Sequence, residues 1–334
     1  MVSYLTPMSQ HFLLSPAAKT LTLAGVLRMT DAEAEMAFRR VRWPETNGEP
    51  FCPKCGCTTC YDCRRASELG RWECKACGHG FSLTGGTLFA SHKLSLRTYL
   101  AAIAIAMNEV KGKNALALSR DLGVSYKCAF VLLHKIREAM ASEMKGRTIG
   151  GPGKEAEVDG GYFGGYVKPA NFRENRRDRR RRYVQSGKRQ VVVVVRERHG
   201  KSLPAVFRNE VDALAFIRQR VNEGTTLYAD EAGSWNDLHS RFEMFRINHQ
   251  EAYSDGTACT NEAESFFSRM RRGEIGHFHH VAGPYLIRYA QEASWREDNR
   301  RVSNGDQVRA VSGLAMQCKP SVDFAGYWQR RSKA

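Results

Sequence analysis

Two short cysteine motifs are the first residues in this sequence whose types and spacing could do chemistry. Cys52 and Cys55 form one CxxC motif, and Cys74 and Cys77 form a second, with 18 residues between the two. A glycine follows each motif and relaxes the turn, so that both thiolates can point inward. Four such thiolates predict a closed tetrahedral Zn²⁺ site. Because no coordination position stays open, the predicted role of this zinc is structural.

Three further cysteines stand between the two motifs, and their role stays open. They could form a second, smaller site or compete for ligation of the first metal. We favour the outer pairs as the zinc ligands because only these share the form CxxCG. The three cysteines are Cys57, Cys60 and Cys63.

A second set of candidate residues is acidic and lies in the C-terminal half. Asp159 (in EVDGG) and Asp230 (in LYADE) stand at the ends of predicted strands, and Glu264 lies on a predicted helix in TNEAESFF. Any one such acid is ordinarily a solvated turn residue or a helix cap. Together, two strand-end aspartates and one helix carboxylate can converge on two Mg²⁺ or Mn²⁺ ions, and phosphodiester cleavage uses such a metal pair.

Two more residues accompany the acidic residue of the predicted helix. Asn261 stands three residues before Glu264, so the two share one helix face. Arg271 lies two turns beyond Glu264 on a similar face. Its guanidinium could meet a substrate phosphate or be solvated.

The elements that must position the cysteines and the acids follow from hydrophobic patterning. Asp31 is the predicted cap of a helix over Ala32–Val41 that ends at Trp43-Pro44. In the acidic half the predicted order is three strands, helix, strand, helix, strand, helix, which is typical of an RNase H-like fold. The predicted strands are 156–164, 189–198, 202–208, 226–231 and 243–248, and the predicted helices are 210–222, 235–241, 261–272 and 280–300.

A helix pair between the cysteines and the acids has the rhythm of a DNA-binding helix-turn-helix. Asn114–Leu122 is the first predicted helix, Gly123 supplies the turn, and Tyr126–Met140 is the second. Ser125 can cap the second helix. An ordinary helical hairpin is the alternative. If the pair binds DNA, the residues that face the major groove are Ser125, Tyr126 and Lys127.

The predicted fold class is a multidomain α+β protein, with a mixed five-stranded sheet in an RNase H-like α/β catalytic domain. Five segments are expected along the chain. They are a helical lead (1–45), a zinc ribbon (46–92), a helix-turn-helix (93–147), the RNase H-like domain (154–300) and a basic C-terminal tail (301–334).

Charge predicts a polyanionic partner. The chain has 51 Lys and Arg against 35 Asp and Glu, a net charge of +16, which favours nucleic acid. The segment 171–189 holds nine Lys or Arg and two acids. Such a run is normally a solvated loop, but beside a phosphodiester site it predicts a phosphate clamp. Its candidate DNA contacts are Arg176, Arg177, Arg179, Arg180, Arg181 and Arg182.

Hydropathy argues against a membrane protein. No stretch approaches the roughly 18 apolar residues of a membrane span, and the N-terminus lacks the charged lead of a signal peptide. The cysteine spacing indicates metal binding, which fits a reducing compartment. We therefore expect a cytoplasmic, nucleoid-associated protein of prokaryotic type that contacts no membrane.

Five phrases of the sequence match one family. Through these phrases and the order in which they occur, the chain resembles the transposases of ISXO-like insertion sequences, which belong to the DDE superfamily. The resemblance implies an RNase H-like domain in which Asp159 and Asp230 are metal ligands. The phrases are WPETNGEPFCPKCG, RWECKACGHGFSLTGGTLF, EVDGGYFGG, YADEAGSW and TNEAESFFSRMRRGEIGHFHHV.

The third metal ligand of this family varies between Asn, His and Glu, and the chain offers two candidates. We favour Glu264 over Asn261 because a charged carboxylate binds Mg²⁺ better than an amide does. Arg271 stands where the family often has Lys, and Cys259 stands where His would be expected.

The resemblance implies a Mg²⁺- or Mn²⁺-dependent transposase that binds element ends in double-stranded DNA, hydrolyses a phosphodiester and joins the freed end to target DNA. Because two ends must be held at once, a homodimer or larger assembly on DNA is expected. The alternatives are a non-catalytic DNA-binding regulator or inactivated transposase remnant, and a structure-specific nuclease on the same fold.

Overall fold

The computed structural model describes residues 11–64, 70–91, 93–165, 170–177, 187–230, 232–247, 260–278, 281, 283–324 and 326–327. The chain divides into two compact units, one made of Met1–Ser142 and Asn299–Ala334 and the other of Glu143–Asp298. Among the described residues, no helix is both long and apolar enough to cross a membrane.

The helices and strands are numbered along the chain. The helices are α1 (Leu23–Arg28), α2 (Asp31–Arg42), α3 (Leu96–Asn108), α4 (Ala115–Leu122), α5 (Tyr126–Ser142), α6 (Leu214–Arg220), α7 (Asn261–Gly273), α8 (Leu286–Asp298) and α9 (Asn304–Gln317). The strands are β1 (Cys60–Asp62), β2 (Arg71–Cys74), β3 (Gly80–Ser82), β4 (Glu155–Phe163), β5 (Gln190–Glu197), β6 (Ser202–Phe207), β7 (Thr226–Asp230) and β8 (Glu243–Ile247).

Helix α2 begins one residue earlier than its sequence pattern suggested. Thr30, not Asp31, is the N-cap: its hydroxyl accepts a hydrogen bond from the Glu33 backbone N–H, and the Glu33 carboxylate accepts one from the Thr30 backbone N–H. This reciprocal pair is a capping box, which satisfies two donors at once and so outcompetes a single Asp cap. The helix ends at Arg42, directly before Trp43-Pro44.

The cysteine-rich region folds as a small antiparallel sheet in the order β1-β2-β3. Its core is aromatic. Trp72 of β2 is 5.3 Å from the Trp43 ring and 6.0 Å from the Phe81 ring, centroid to centroid, and all three side chains are buried. Such a small sheet buries little apolar area, so metal ligation is expected to supply much of its stability.

The first unit closes with helix α9, in a segment that we expected to be part of a basic tail (301–334). Ser303 caps the helix by accepting a hydrogen bond from the Asp306 backbone N–H. Val308, Val311 and Ala315 are buried at the three- and four-residue spacing of one helix face, and α9 contacts α2, α3 and α5. The segment is therefore a packed helix of the first unit and not a tail over these residues.

The second unit contains the expected mixed five-stranded sheet, in the order β6-β5-β4-β7-β8. Strands β4, β5 and β6 pair antiparallel, whereas β7 and β8 run parallel to β4. The predicted helix 210–222 is split into a 3₁₀ segment, Glu210–Ala213, and α6. All five predicted strands form, and the predicted helix 235–241 is a 3₁₀ segment, Gly233–Ser240. The elements follow one another in the predicted order.

Helices α7 and α8 cover one face of this sheet and form its core. Residues 191–195 of β5 are five consecutive valines with no exposed surface, as expected for a central strand. The core cluster on the α7 and α8 side consists of Phe163, Val192, Val194, Ala263, Phe266, Phe267, Met270, Val281, Leu286 and Ala290.

Candidate functional site

The four cysteines of the two CxxC motifs come together in space. The sulfur atoms of Cys52 and Cys77 are 3.6 Å apart, and those of Cys55 and Cys74 are 3.5 Å apart. All four lie within 4.8 Å of one another. A tetrahedral zinc with Zn–S bonds of about 2.3 Å requires sulfur separations of roughly 3.8 Å. The four thiols therefore fit a structural Zn²⁺, as their spacing predicted.

Each half of this cysteine site is built by the same local turn. Gly56 and Gly78 adopt positive φ angles of 75° and 65°, a left-handed conformation that costs glycine little. In each turn the glycine N–H donates to the carbonyl of the first cysteine, Cys52 or Cys74, at 2.9 Å. The two cysteines of a motif therefore lie on one side of a tight turn, with both sulfurs free to face the metal.

The three intervening cysteines take no part in this cluster. Cys57 and Cys63 contact the carbonyl oxygens of residues 59 and 61 through their sulfurs, and Cys60 contacts the Cys57 carbonyl. In the part of the chain that the structure describes, the outer four cysteines are the one set of three or more candidate ligands whose donor atoms all lie within 4.8 Å. No second compact metal site forms among these residues.

Asp159 and Asp230 lie side by side on neighbouring parallel strands. Val158 of β4 pairs with Ala229 of β7, so the next residue on each strand is one of the two aspartates. Asp230 is the last residue of β7, as predicted. Asp159, which we expected at a strand end, lies in the middle of β4, because pairing with β5 continues this strand to Phe163. The strand pairing thus brings together two acids that are 71 positions apart in the sequence.

Two glutamates complete what we call the acidic cluster: Asp159, Asp230, Glu264 and Glu210. Burial raises the pKa of Asp159 to about 7, and the negative charges of Asp230, Glu264 and Glu210 contribute to this shift. Glu210, which the sequence analysis missed, stands at the start of the 3₁₀ segment after β6. Burial and the charge of Asp230 also raise its pKa.

Hydrogen bonds orient three of these carboxylates. Asp159 accepts one from the Gly160 backbone N–H at 2.7 Å. Asp230 accepts one at 2.8 Å from the indole nitrogen of Trp235, a fully buried side chain. Glu210 accepts one from the Ser234 hydroxyl at 2.9 Å. The carboxylates are therefore held in place by the surrounding fold.

The glycine pair after Asp159 lets other elements approach β4 closely. A Cβ on Gly160 would lie 2.9 Å from a carboxylate oxygen of Glu210, and one on Gly161 would lie 2.5 Å from the Phe267 ring. Phe267 is on α7, one turn beyond Glu264. The absence of a side chain at Gly161 therefore sets how near α7 lies to the strand that carries Asp159.

The N-terminus of α7 is fastened to β4 by a buried carboxylate. Glu157 is 1% exposed, and its Oε2 accepts hydrogen bonds from the backbone N–H groups of Glu262 and Ala263 at 2.8 and 2.9 Å. Arg196 of β5 in turn binds the Glu262 carboxylate at 2.7 Å. No local sequence pattern singles out Glu157, because its partner helix lies far away along the chain.

The two remaining candidates on α7 are both exposed. Asn261 is the first residue of the helix. Arg271 places its guanidinium carbon 5.0 Å from the centre of the Phe163 ring. Among the described residues, no hydrogen bond links Asn261 or Arg271 to the acidic cluster. Their expected roles, as third metal ligand and as phosphate contact, therefore stay predictions. Cys259 lies outside the described residues.

The predicted helix pair forms in the first unit as α4 and α5. Gly123 makes the turn with φ = 64°, and the Ser125 hydroxyl accepts a hydrogen bond from the Cys128 backbone N–H at 3.3 Å. Ser125, Tyr126 and Lys127 are all exposed. The helix bounds therefore match the expectation, and DNA binding by this surface stays a prediction.

A basic cavity of about 280 Å³ opens beside the same helix. Three lysines line it, Lys93, Lys127 and Lys135. Burial lowers the pKa of Lys135, so an anion in the cavity would favour its charged form. Three aromatic side chains also line it, Tyr99, Phe324 and Tyr327, and the remaining lining residues are Cys128, Val131, Leu132 and Gly326.

Only part of the basic segment 171–189, which we call the basic insert, is within the described residues. Arg176 and Arg177 are exposed, and the Arg176 guanidinium donates to the backbone carbonyls of residues 170 and 171. Arg179, Arg180, Arg181 and Arg182 lie outside the described residues. Their expected contact with DNA phosphates stays a prediction.

Comparison with known proteins agrees with this geometry. A family model of the ISXO2-like transposase domain matches residues 151–298, and a model of a transposase zinc-ribbon domain matches residues 29–80. No curated protein and no solved structure matches the chain. The two matched regions contain the acidic cluster and the cysteine site, and together they cover more than half of the sequence. The chain belongs to the family of ISXO2-like transposases.

Proposed function

We propose that this protein binds the ends of an insertion sequence and catalyses phosphodiester hydrolysis and strand transfer at the acidic cluster. The observation that carries the proposal is the adjacency of Asp159 and Asp230 on parallel strands, with Glu264 close enough for its charge to raise the pKa of Asp159. The sheet order, with three antiparallel strands followed by two parallel ones, supports an RNase H-like fold for this unit.

The chemistry of the donor set suits Mg²⁺ or Mn²⁺. Among the described residues, no three acids of the acidic cluster have ligand oxygens within 4.8 Å of one another, so bound ions would have to draw the carboxylates closer. Hard divalent cations prefer carboxylate oxygens. Burial, together with the neighbouring acids, raises the pKa of Asp159 to about 7, and a nearby cation would favour its ionised form. We assign Asp159, Asp230 and Glu264 as the ligands, with Asn261 as the alternative third ligand. When bound, a pair of such ions supplies an activated water and stabilises the leaving oxygen of an in-line displacement.

The chain's own groups do the positioning. The Gly160 N–H and the Trp235 indole hold the carboxylates of Asp159 and Asp230, so little reorganisation is needed when DNA arrives. Arg271, exposed near the C-terminal end of α7, is placed to contact a substrate phosphate. Its aromatic neighbour Phe163 limits the directions in which the guanidinium can point.

DNA recognition is assigned to the first unit and to the basic insert. Ser125, Tyr126 and Lys127 at the start of α5 would read base edges in the major groove. The cavity lined by Lys93, Lys127 and Lys135 would accept a backbone phosphate, since three lysines contribute to its lining. The arginines of the insert, including Arg176 and Arg177, would clamp phosphates near the cleavage site. A dimer or larger assembly would hold both ends.

A strand-transfer assay tests the proposal. Full-length, zinc-loaded protein is incubated with Mg²⁺, labelled duplexes that carry candidate element ends, and plasmid target. We expect cleaved and joined products with wild type and with Asp237→Asn, a control acid at an exposed position. We expect binding without products for Asp159→Asn and Asp230→Asn. Wild-type binding without cleavage would instead indicate a regulator, and cleavage without joining would indicate a nuclease.

The same assay identifies the third ligand. If Glu264 is that ligand, Glu264→Gln should lower cleavage about 100-fold or more by misplacing the reacting groups, whereas Asn261→Ala should cost much less. The reverse result would assign the position to Asn261 and leave Glu264 as a neighbour. Wild-type activity in both variants would remove α7 from the active site.

A further inference from the structure

Glu157 is a buried acid that the proposed chemistry does not use. It lies on β4 between Glu155 and Asp159, and because alternate residues of a strand share a face, these three acids point to the same side of the sheet. Its side chain is 1% exposed. Burying a carboxylate is costly unless hydrogen bonds satisfy its oxygens, so the contacts of this group show what it does.

One oxygen of Glu157 serves as the N-terminal cap of α7. It accepts hydrogen bonds from the N–H groups of Glu262 and Ala263 at 2.8 and 2.9 Å. These are first-turn donors, which have no partner within their own helix. The usual capping residue, Thr260, makes no capping hydrogen bond with its side chain. A strand carboxylate thus replaces the local cap, and its charge is favoured by the helix dipole.

The capped amides lie between the two candidates for the third ligand. Asn261 precedes Glu262 by one residue, and Glu264 follows Ala263 by one residue. Fixing these two amides therefore fixes both candidate positions. On the strand side, Glu157 is two residues from Asp159. One side chain consequently links the strand that carries the first ligand to the helix turn that carries the third.

The second oxygen of Glu157 is balanced by Arg198. The guanidinium donates to it at 3.1 Å and also binds the Glu155 carboxylate at 2.8 Å. Its carbon lies 3.7 Å from the centre of the Tyr228 ring. Glu155 therefore shares the Arg198 guanidinium and the strand face with Glu157. Its side chain is 44% exposed, however, and among the described residues it makes no hydrogen bond to α7.

We propose that Glu157 is a positioning residue for the acidic cluster: by capping α7 from β4, it holds the third metal ligand against Asp159 and Asp230. The catalytic part of this inference rests on the proposed function. The capping role does not, since it concerns only the order of the first turn of α7. The charge of Glu157 is essential, because a neutral group binds helix amides and Arg198 less strongly.

The test compares Glu157→Gln with Glu155→Gln in the full-length, zinc-loaded protein. Both changes remove one carboxylate charge beside Arg198, but only the first removes the cap of α7. For Glu157→Gln we expect the Mg²⁺ concentration at half-maximal cleavage to rise by about tenfold or more, with partial rescue by excess Mg²⁺ or by Mn²⁺. Glu155→Gln should stay within about twofold of wild type. A purely structural role would lower the melting temperature without moving the Mg²⁺ midpoint, and that result would overturn the proposal.

Residue-resolved hydrogen exchange provides a readout that needs neither a variant nor activity. In the wild type, the amides of Glu262 and Ala263 should exchange slowly, like those in the middle of a helix, although they are in a first turn. Fast exchange at both would overturn the proposal even if Glu157→Gln failed to fold. If the wild-type protein cleaves no DNA, the proposed function fails, while slow exchange of these amides would still support the capping role.

Discussion

The cysteine site and the acidic cluster differ in how far apart their residues lie along the chain. Each half of the cysteine site is a turn of a few residues, closed by Gly56 or Gly78 and by one backbone hydrogen bond. The acidic cluster draws its residues from β4, β7, α7 and the segment after β6. Its geometry depends on strand register, on close approach at Gly161 and on the capping of α7 by Glu157.

Because of this difference, we expect substitutions to impair the two sites in different ways. A local site depends mainly on its ligands, so losing one thiolate should release the metal and loosen the small domain around it. An assembled site also depends on residues that never touch the metal. Substitutions in the packing and capping groups should therefore impair its function while much of the domain stays folded.

The largest expected effect is on the cysteine site. Cys74→Ser should reduce bound zinc from about one ion per chain to none, and the ribbon should lose its fold, because structural zinc supplies roughly 10–16 kcal/mol of binding free energy. Metal analysis and proteolysis of the ribbon measure both effects. Cys63→Ser, which replaces an exposed cysteine outside the cluster, is the matched control and should retain the zinc. Retention of zinc by Cys74→Ser would contradict the ligand assignment.

The next effect concerns the electrostatics of the acidic cluster. The pKa of Asp159 is raised from 3.8 to about 7, so its ionised form is disfavoured in the folded state. This destabilisation is absent below the unfolded-state value, grows between the two values and is complete above pH 7. Asp159→Asn should therefore raise the free energy of unfolding at pH 8 by on the order of 4 kcal/mol, and should leave it unchanged below pH 4.

The free energy of unfolding is measured with denaturant at several pH values, for the wild type and Asp159→Asn without Mg²⁺ or Mn²⁺. Asp237→Asn is the control. Added Mg²⁺ should stabilise the wild type at pH 8 and have little effect on Asp159→Asn. Equal stability of the two proteins at pH 8 would show that burial and the neighbouring acids do not disfavour the ionised form of Asp159.

A smaller effect is expected from packing at the second glycine of EVDGG. A Cβ at Gly161 would lie 2.5 Å from the ring of Phe267, so Gly161→Ala should destabilise the second unit by about 1–3 kcal/mol and lower cleavage by displacing α7. Gly187→Ala is the control, since its Cβ would meet no atom within 4 Å. If both variants cleave DNA like the wild type, close approach of α7 is not needed for activity.

The smallest effect is expected from the basic insert. Replacing Arg176 and Arg177 with Ser should reduce the slope of log affinity against log salt by about one for each arginine that contacts a phosphate, with little change in melting temperature. Arg241→Ser is the control because this guanidinium already pairs with Glu223. An unchanged salt slope in the double variant would identify this part of the insert as solvated surface.

The sequence predicted well those features that depend on neighbouring residues. The two CxxC motifs, the five strands and the helix pair α4–α5 follow from spacing, alternation and turn glycines. Asp230 was found because it ends the apolar strand β7, and Asp159 because it stands before a glycine pair in a predicted strand. Parallel pairing of β4 with β7 then brings the two acids together. Glu210, by contrast, stands in a polar segment that has no such pattern, and its position near Asp159 results from how that segment folds back over β4.

Long-range contacts account for what could not be predicted. The capping role of Glu157 depends on a helix more than a hundred residues away, so no local pattern reveals it. Helix α9 was expected to be part of a basic tail, and its apolar face is recognisable only once α2, α3 and α5 are seen to cover it. The N-cap of α2 is Thr30 and not Asp31, because Thr30 and Glu33 form a reciprocal capping box.

The most direct test of the account combines metal binding with cleavage in the same samples. Zinc content, Mn²⁺ binding by calorimetry and Mg²⁺-dependent cleavage of end DNA would be measured for the wild type and for Asp230→Asn. We expect both proteins to keep one zinc and to bind the DNA, whereas only the wild type binds Mn²⁺ at the acidic cluster and cleaves. Unchanged Mn²⁺ binding and cleavage in Asp230→Asn would contradict the claim that residues from β4, β7 and α7 form one catalytic metal site.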